Sequence, residues 1–436
     1  MLAAGLRAAD PGPLVQAALR ASGRRLIAAG HSLPLGRGRV ILLAAGKAAP
    51  AMAAAAEAAL GARIADGLAV SNAPGPHLRR TRLLLAGHPL PDARGVEAAR
   101  AVEAMVHGLT ADDVVVVLLS GGASALLPAP VPGLTLEDKA AVTSLLMRAG
   151  ADITELNTVR KHLSRLKGGG LARAAAPARV VTLVLSDVVG DDLSTIASGP
   201  TVPDPTTYAD ARRILDDRGI ASAVPASARR HLEAGLRGEI PETPKPRDPV
   251  FRRVRTRLVG SNRISVQAAA REARRQGLRP LVLTTRLEGE AREVARALVA
   301  ILRECVESGA PAAPPVCLLA GGETTVTVRG GGRGGRNQEM AVAAAELLAS
   351  FPVEAVVAAL ATDGVDGASE AAGGVADRTS AARARALGLA PPAAFLAASD
   401  SNAFLGPLGD LIVTGPTGTN VVDLAVLLAA KRASVL

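Results

Sequence analysis

Leu318–Met340 reads LLAGGETTVTVRGGGRGGRNQEM, and its punctuation organises the rest of the chain. Val316 to Ala320 is a short apolar run of the kind that forms a buried strand. Gly321 and Gly322 turn the chain and place Glu323 at the turn. Thr324 to Arg329 alternates polar and apolar residues, which predicts a half-buried strand. Gly330 to Gly335 holds five glycines in six positions, and Arg336 and Asn337 then open a helical pattern that runs to Ser350. A strand, a glycine loop and a helix start together suit an anion. Backbone N–H groups can approach a phosphate closely, and the helix N-terminus adds partial positive charge. Arg333 and Arg336 could add bidentate contacts. The plainer alternative is a flexible hairpin linker. No Lys-Ser/Thr follows the glycines, so the stretch is not a Walker A loop.

Composition narrows the function classes. A chain of 436 residues predicts two or three domains with ample core. Four Phe, one Tyr and no Trp leave little for base stacking, which argues against single-strand nucleic-acid binding. The apolar runs are strand-length, so no membrane span is expected, and the N-terminus lacks a signal-peptide h-region. Two cysteines, Cys305 and Cys317, cannot build a disulfide framework or a structural zinc site, and a reducing cytoplasm fits. Between Lys245 and Arg303 stand 15 Lys/Arg and 5 Asp/Glu, which accounts for the whole net charge of +10. That segment reads as a solvated Arg-rich face or as steering for an anionic substrate. Only six basic residues are Lys, so Lys47 beside a glycine is conspicuous.

Taken in order, residues 11–29 read as a helix, and Arg39 to Ala45 as a buried strand running into Gly46-Lys47 and the helix Ala48 to Gly61. Lys47 therefore falls at the carboxyl end of a strand, where open α/β sheets bind ligands, unless it merely caps the turn. His88 to Asp92 is a rigid connector, with Asp92 capping a helix over 93–108. The strand Asp113 to Leu119 runs into Ser120-Gly121-Gly122-Ala123-Ser124, a second turn suited to phosphate or carboxylate. Without a G-x-S-x-G elbow, Ser124 does not read as an acyl nucleophile. Over Thr154 to Lys167 an amphipathic helix sets Asn157, Arg160, Lys161 and Ser164 on one polar face. The strand Val180 to Leu185 ends near Asp187, Asp191 and Asp192, carboxylates that suit Mg²⁺ shared with phosphate oxygens. Four prolines in Glu239 to Pro249 mark a linker, and a new βαβ series is expected from Arg257. Asp363 ends the strand Ala355 to Ala361, Asp410 to Thr414 is read as the last strand, and Asp423 is read as opening a final helix. Glycine turns, carboxylates and single cations at strand ends suit phosphoryl transfer.

Several motifs keep their order along nearly the whole chain: GK at 46–47, GHPLPD at 87–92, LLSGGASALL at 118–127, NTVRKHLSRLKGGGLA at 157–172, SDVVGDDLSTIASGPT at 186–201, LAGGETTVTVRG at 319–330, GRNQEMA at 335–341 and ATDGVDG at 361–367. Together they resemble the glycerate 2-kinases, two-domain glycerate kinases with a leucine-rich C-terminal module that have often been labelled hydroxypyruvate reductase. The resemblance implies two Rossmann-like α/β domains, over 1–240 and 250–436, with an interdomain active-site cleft. It implies transfer of phosphate from ATP, with Mg²⁺, to D-glycerate, usually at the 2-hydroxyl. Lys47, Asp187, Arg336 and Asp363 match the family's proposed catalytic positions. Ser120, Gly121, Gly122, Ser124, Asn157, Arg160, Lys161, Glu323, Arg333 and Asn337 are candidates for binding substrate or nucleotide, and Asp187, Asp191 and Asp192 for the metal. Its partners are then small molecules, with neither nucleic acid nor membrane, and a homodimer is a possible assembly. An NAD(P)H-dependent hydroxypyruvate reductase is the alternative, but no G-x-G-x-x-G follows a first strand.

Overall fold

Six apolar residues in a row, as in Val114–Leu119, offer no polar face to water, so both faces must be covered. The protein, described by a computed structural model over residues 1–431, covers them by making this strand central in a six-stranded sheet. The order across the sheet is Arg82–Leu85, Ile64–Ser71, Val40–Ala45, Val114–Leu119, Arg179–Leu185 and Val254–Gly260. The first five run parallel. By chain order this is 3-2-1-4-5-6, the doubly wound arrangement. Strand order reverses between Val40–Ala45 and Val114–Leu119, and the crevice at their carboxyl ends is the expected ligand site. Helices Ala49–Leu60, Ala93–Val106 and Gly170–Ala175 flank the sheet, and a separate core forms where Val142, Leu146, Val159, Leu163, Tyr208 and Leu232 meet. Asp92 caps its helix as expected, accepting from the Gly95 N–H at 3.1 Å.

A second unit carries a mixed sheet in the order Arg279–Leu287, Val316–Gly322, Asp423–Ala429, Ala355–Ala361, Gly373–Asp377 and Leu411–Ile412. Only its first pair is parallel. Helix Arg336–Leu348 packs on it through Met340, Val342, Ala344 and Leu348. The chain divides as Pro11–Val259 on one side and Met1–Asp10 with the segment from Gly260 onward on the other. The sequence placed the division at 239–249 and left the first helix with the first unit. Leu2–Ala8 instead packs on Asn262–Arg275, where Ser265 Oγ donates to the Gly5 carbonyl at 2.8 Å.

Five local expectations are corrected. The helix over 11–29 stops at Ala18, and Leu19–Ser22, Arg25–Ala28 and His31–Pro34 form a small antiparallel sheet. Gly23 takes a left-handed φ of +54°, which favours a hairpin turn, and Leu26 and Ala28 bury with a period of two. The helix expected over 154–167 runs only from Ile153 to His162. Val254–Gly260 closes the first sheet rather than starting the second. The alternating segment 324–329 is an open loop, held by Thr327, whose N–H and hydroxyl both donate to the Glu290 carboxylate. Finally, Asp423 opens a strand and not a helix. Asp423–Ala429 lies between two neighbours and is buried on both faces, so it shows no alternation to betray it. Residues 432–436 lie outside the described residues.

Candidate functional site

At the reversal point of the parallel sheet two turns are pressed together. Gly46, at the end of Val40–Ala45, has φ +128°, and a Cβ on it would stand 2.2 Å from Ser120 Oγ and 2.5 Å from the Ser120 carbonyl oxygen. Lacking that carbon, the turn closes on its neighbour. The Lys47 N–H donates to the Gly121 carbonyl at 2.8 Å, and the Ala48 N–H donates to Ser120 Oγ at 3.0 Å. Gly121 makes room for the next strand's end, since a Cβ there would meet Asp187 Oδ2 at 1.9 Å. A Cβ on Gly122 would fall 3.1 Å from His88 Nε2 and 3.4 Å from Lys47 Cγ. Lys47, Ser120, Gly121, Gly122 and Asp187 are thus assembled around one pair of turns. His88 joins them. Its burial, with the Lys47 charge adding to it, holds its pKa below the ordinary value, which favours the neutral imidazole at pH 7.

Asp191 and Asp192 do not complete a metal-binding triad with Asp187. Asp191 sits at φ +61°, and Asp192 accepts from the Ser194 N–H, the Ser194 hydroxyl and the Thr195 hydroxyl, all at 2.9 Å. Among the described residues no group of three His, Cys, Asp or Glu is arranged to hold a metal ion. Asp187 by itself fits the other pattern for Mg²⁺, one carboxylate completed by phosphate oxygens and water.

Helix Ile153–His162 starts at a capping box made by Asp152 and Glu155 and aims consecutive cations in different directions. Arg160 donates to Ser124 Oγ at 3.1 Å. Lys161 turns instead into a buried ion pair with Asp204 at 3.5 Å. Asn157 is buried and accepts from the Ser198 hydroxyl at 2.8 Å. Lys139, from the preceding helix, is 6% exposed, and among the described residues its ammonium donates only to the Leu163 carbonyl, at 3.4 Å. Burial, then Arg160 and Arg165, push its pKa down to about 7. The unfolded value near 10.4 is higher, so between these values the unfolded chain binds more protons and stability rises with pH. Lys139→Met is therefore expected to raise the unfolding midpoint of the ligand-free protein most at pH 7 and below. The advantage should shrink as the pH rises to about 10. Thermal unfolding of both proteins across that range measures it, and a pH-independent difference would refute the buried-charge account.

In the second unit, register brings the remaining candidates to one sheet edge, because Asp423 pairs with both Gly322 and Ala361. Glu323 and Asp363 follow those strands directly. Arg336 begins the helix after the glycine loop and forks onto Asp423, with Nε–Oδ2 at 2.5 Å and NH2–Oδ1 at 3.0 Å, while NH1 reaches Glu323 at 2.9 Å. Burial raises the Asp423 carboxyl to about 6 despite the guanidinium beside it. Burial alone would lower the Arg336 pKa, but Asp423 and Glu323 hold it above its ordinary value. Asn337 is turned inward, its N–H and amide both donating to Asp366 Oδ1 at 3.1 Å, so Asp366 caps the helix from another element. Arg333 is exposed, and its loop is pinned where its N–H donates to Asp400 Oδ1 at 2.9 Å. Asp363 Oδ1 accepts from the Val365 N–H at 3.2 Å.

Comparison with known proteins follows these landmarks. Residues 1–233 match the family described as a domain of unknown function, DUF4147, and residues 316–423 match the MOFRL family. A curated relative from Pyrococcus horikoshii named glycerate 2-kinase is 43% identical, covering 98% of this chain and 95% of the relative. A crystal structure titled glycerate kinase, from Thermotoga maritima, superposes with a TM-score of 0.87 at 38% identity, covering 98% of this chain and 97% of that one. The chain belongs to the glycerate kinase family. The family's naming is uneven, because a relative from Agrobacterium vitis, 46% identical over 90% of this chain and 87% of its own length, is named putative hydroxypyruvate reductase.

Sequence reasoning passed over His88, Lys167, Asp366 and Asp423 as functional candidates. His88 and Lys167 lie inside family motifs quoted above, so the motifs carried the signal while the roles did not. Asp366 sits in ATDGVDG, where the eye goes to Asp363. Asp423 was mistaken for a cap.

Proposed function

We propose that the protein transfers the γ-phosphoryl group of ATP to the 2-hydroxyl of D-glycerate, giving 2-phosphoglycerate and ADP. The observation that carries this reading is the placement of Lys47 on one of the two turns at the reversal point of the doubly wound sheet, with Asp187, from the end of the next strand, against the other. There a cation, a carboxylate and close-approach glycines suit a phosphate and the charge that develops as it transfers. The new O–P bond forms at the glycerate oxygen, the bond from the γ-phosphorus to the β–γ bridging oxygen breaks, and the hydroxyl proton leaves. Asp187 and Asp363 are the carboxylates for orienting that hydroxyl and holding Mg²⁺, which would neutralise phosphate oxygens when bound. Lys47 and Arg336 each offer positive charge for phosphate or substrate carboxylate. A cytoplasmic location goes with this substrate pair, and among the described residues no helix is long and apolar enough to cross a membrane.

The reductase label finds one point of support, since the 3-2-1-4-5-6 order also belongs to dinucleotide-binding folds. Fold does not decide chemistry, however, and the turn after the first strand of that sheet is Gly46-Lys47 without G-x-G-x-x-G. A coupled assay with ATP, D-glycerate and Mg²⁺, with the product isomer resolved, is expected to show 2-phosphoglycerate. NADH with hydroxypyruvate should give no turnover. Excess EDTA should abolish the kinase activity, and added Mg²⁺ or Mn²⁺ should restore it, because carboxylates are hard oxygen ligands. Full activity in EDTA would contradict the metal assignment, and hydride transfer without phosphorylation would overturn the kinase reading.

A further inference from the structure

Beside the Lys47–Asp187 turns lies a group of cations that this chemistry has not yet used. Lys167, 3% exposed, donates to Ser124 Oγ at 2.6 Å and to the Ser124 carbonyl at 3.0 Å. Arg160 donates to the same Oγ. Ser198 is fully buried and donates its proton to Asn157 Oδ1, so in the 2.9 Å contact between the two serines Ser124 is the donor. The chain of hydroxyls is therefore oriented, and the Ser124 oxygen turns its lone pairs to two cations. Lys139 stands behind them, close enough for its charge to act on Lys167.

What the group lacks is an anion. Neighbouring cations have their own carboxylates: Lys161 has Asp204, Arg165 has Glu103 and Arg218 has Glu155. Among the described residues no carboxylate forms an ion pair with Lys139, Arg160 or Lys167. Burying charge without a partner is costly, and the cost appears as a Lys167 pKa held well below the ordinary value by burial and by its cationic neighbours. The site stays connected to solvent through Arg160 and Ser124, which are only partly buried. It also adjoins the reacting turn, because Ser124 is two residues beyond Gly122, which abuts Lys47 and His88.

We propose that Lys167 and Arg160, held side by side on the Ser124 oxygen, form a subsite for an oxyanion of one of the two substrates, the carboxylate of the hydroxy acid or a phosphate of the nucleotide. This rests on the kinase reading and adds Lys167 to it as a binding residue, with Ser198 and Asn157 fixing the serine's orientation. Lys161, next in sequence to Arg160, takes no part, being committed to Asp204.

Calorimetric titration of wild type and Lys167→Met with D-glycerate and, separately, with Mg·ATP tests this. The variant is expected to fold, with an unfolding midpoint at or above that of the wild type, and to lose at least about tenfold in affinity for one ligand, the energy of one charge-assisted bond. The ligand that weakens identifies the source of the oxyanion, glycerate for the carboxylate and ATP for the phosphate. Arg160→Gln, at the partly exposed rim, should weaken the same ligand and serves if Lys167→Met does not fold. Unchanged affinity for both ligands in a folded variant overturns the subsite. Should the wild type fail to phosphorylate D-glycerate, the kinase reading falls on its own. Inorganic phosphate then becomes the probe, and equal phosphate binding by wild type and Lys167→Met overturns the subsite independently.

Discussion

Lys47→Ala is expected to fold as the wild type does and to lose turnover by at least about a hundredfold, the range found when one preorganised electrostatic group is removed from an active site. The backbone N–H of this residue donates to the Gly121 carbonyl, and alanine keeps that bond. The loss is expected to be severe because the Lys47 side chain leaves the reversal point of the sheet beside Gly122, with its Cγ 3.4 Å from where a Cβ on that glycine would stand. Lys47→Arg should not restore activity. A planar guanidinium needs more room than a compact ammonium, and the two turns approach too closely to provide it. Circular dichroism establishes the fold and the coupled ATP–glycerate assay measures kcat and KM. Near-normal turnover in folded Lys47→Ala would remove this residue from the chemistry.

Arg336→Ala is expected to cost turnover on the same scale and to destabilise its unit as well. The Asp423 side chain is 10% exposed, and removing its guanidinium leaves a buried carboxyl unpaired, a change of about 3–5 kcal/mol for such pairs. Stability and chemistry are separated by the double variant Arg336→Ala/Asp423→Asn, which removes the orphaned charge. It should recover most of the unfolding midpoint and none of the turnover. Should it recover turnover, Arg336 is only a counter-charge for Asp423. Should Arg336→Ala keep ordinary turnover, the first unit works without it.

Much of this molecule is legible in short windows of sequence. Val40–Ala45, Val114–Leu119 and Ala355–Ala361 are announced by unbroken apolar runs, Val180 to Leu185 by a run that only Thr182 interrupts, and nearby glycines announce turns. Asp92, as a cap, follows from its own neighbours. Lys47, Asp187 and Asp363 stand out because scarce or charged residues sit at strand ends, and Arg336 because it opens a helix behind a glycine loop. Such signals are local: strand propensity, turn conformation and capping act over one to four residues, so the chain spells them out in sequence.

Other features depend on which distant segments meet, and these only the tertiary structure decided. Asp423–Ala429 has the same apolar run whether it is strand or helix, and it is a strand because Val316–Gly322 and Ala355–Ala361 offer it hydrogen bonds on both sides. Leu2–Ala8 carries no mark of the unit it joins, since its partner helix lies some 260 residues away. Asn157 and Lys161 read as binding candidates on a polar helix face, and the groups that meet them there, Ser198 and Asp204, come from a distant segment of the chain. Nothing in the sequence singles out Lys167, yet it is buried, shares the Ser124 oxygen with Arg160 and has no carboxylate beside it among the described residues. Periodicity places a side chain on a face, but its charge state and partners depend on the groups packed against that face, and those come from elsewhere in the chain.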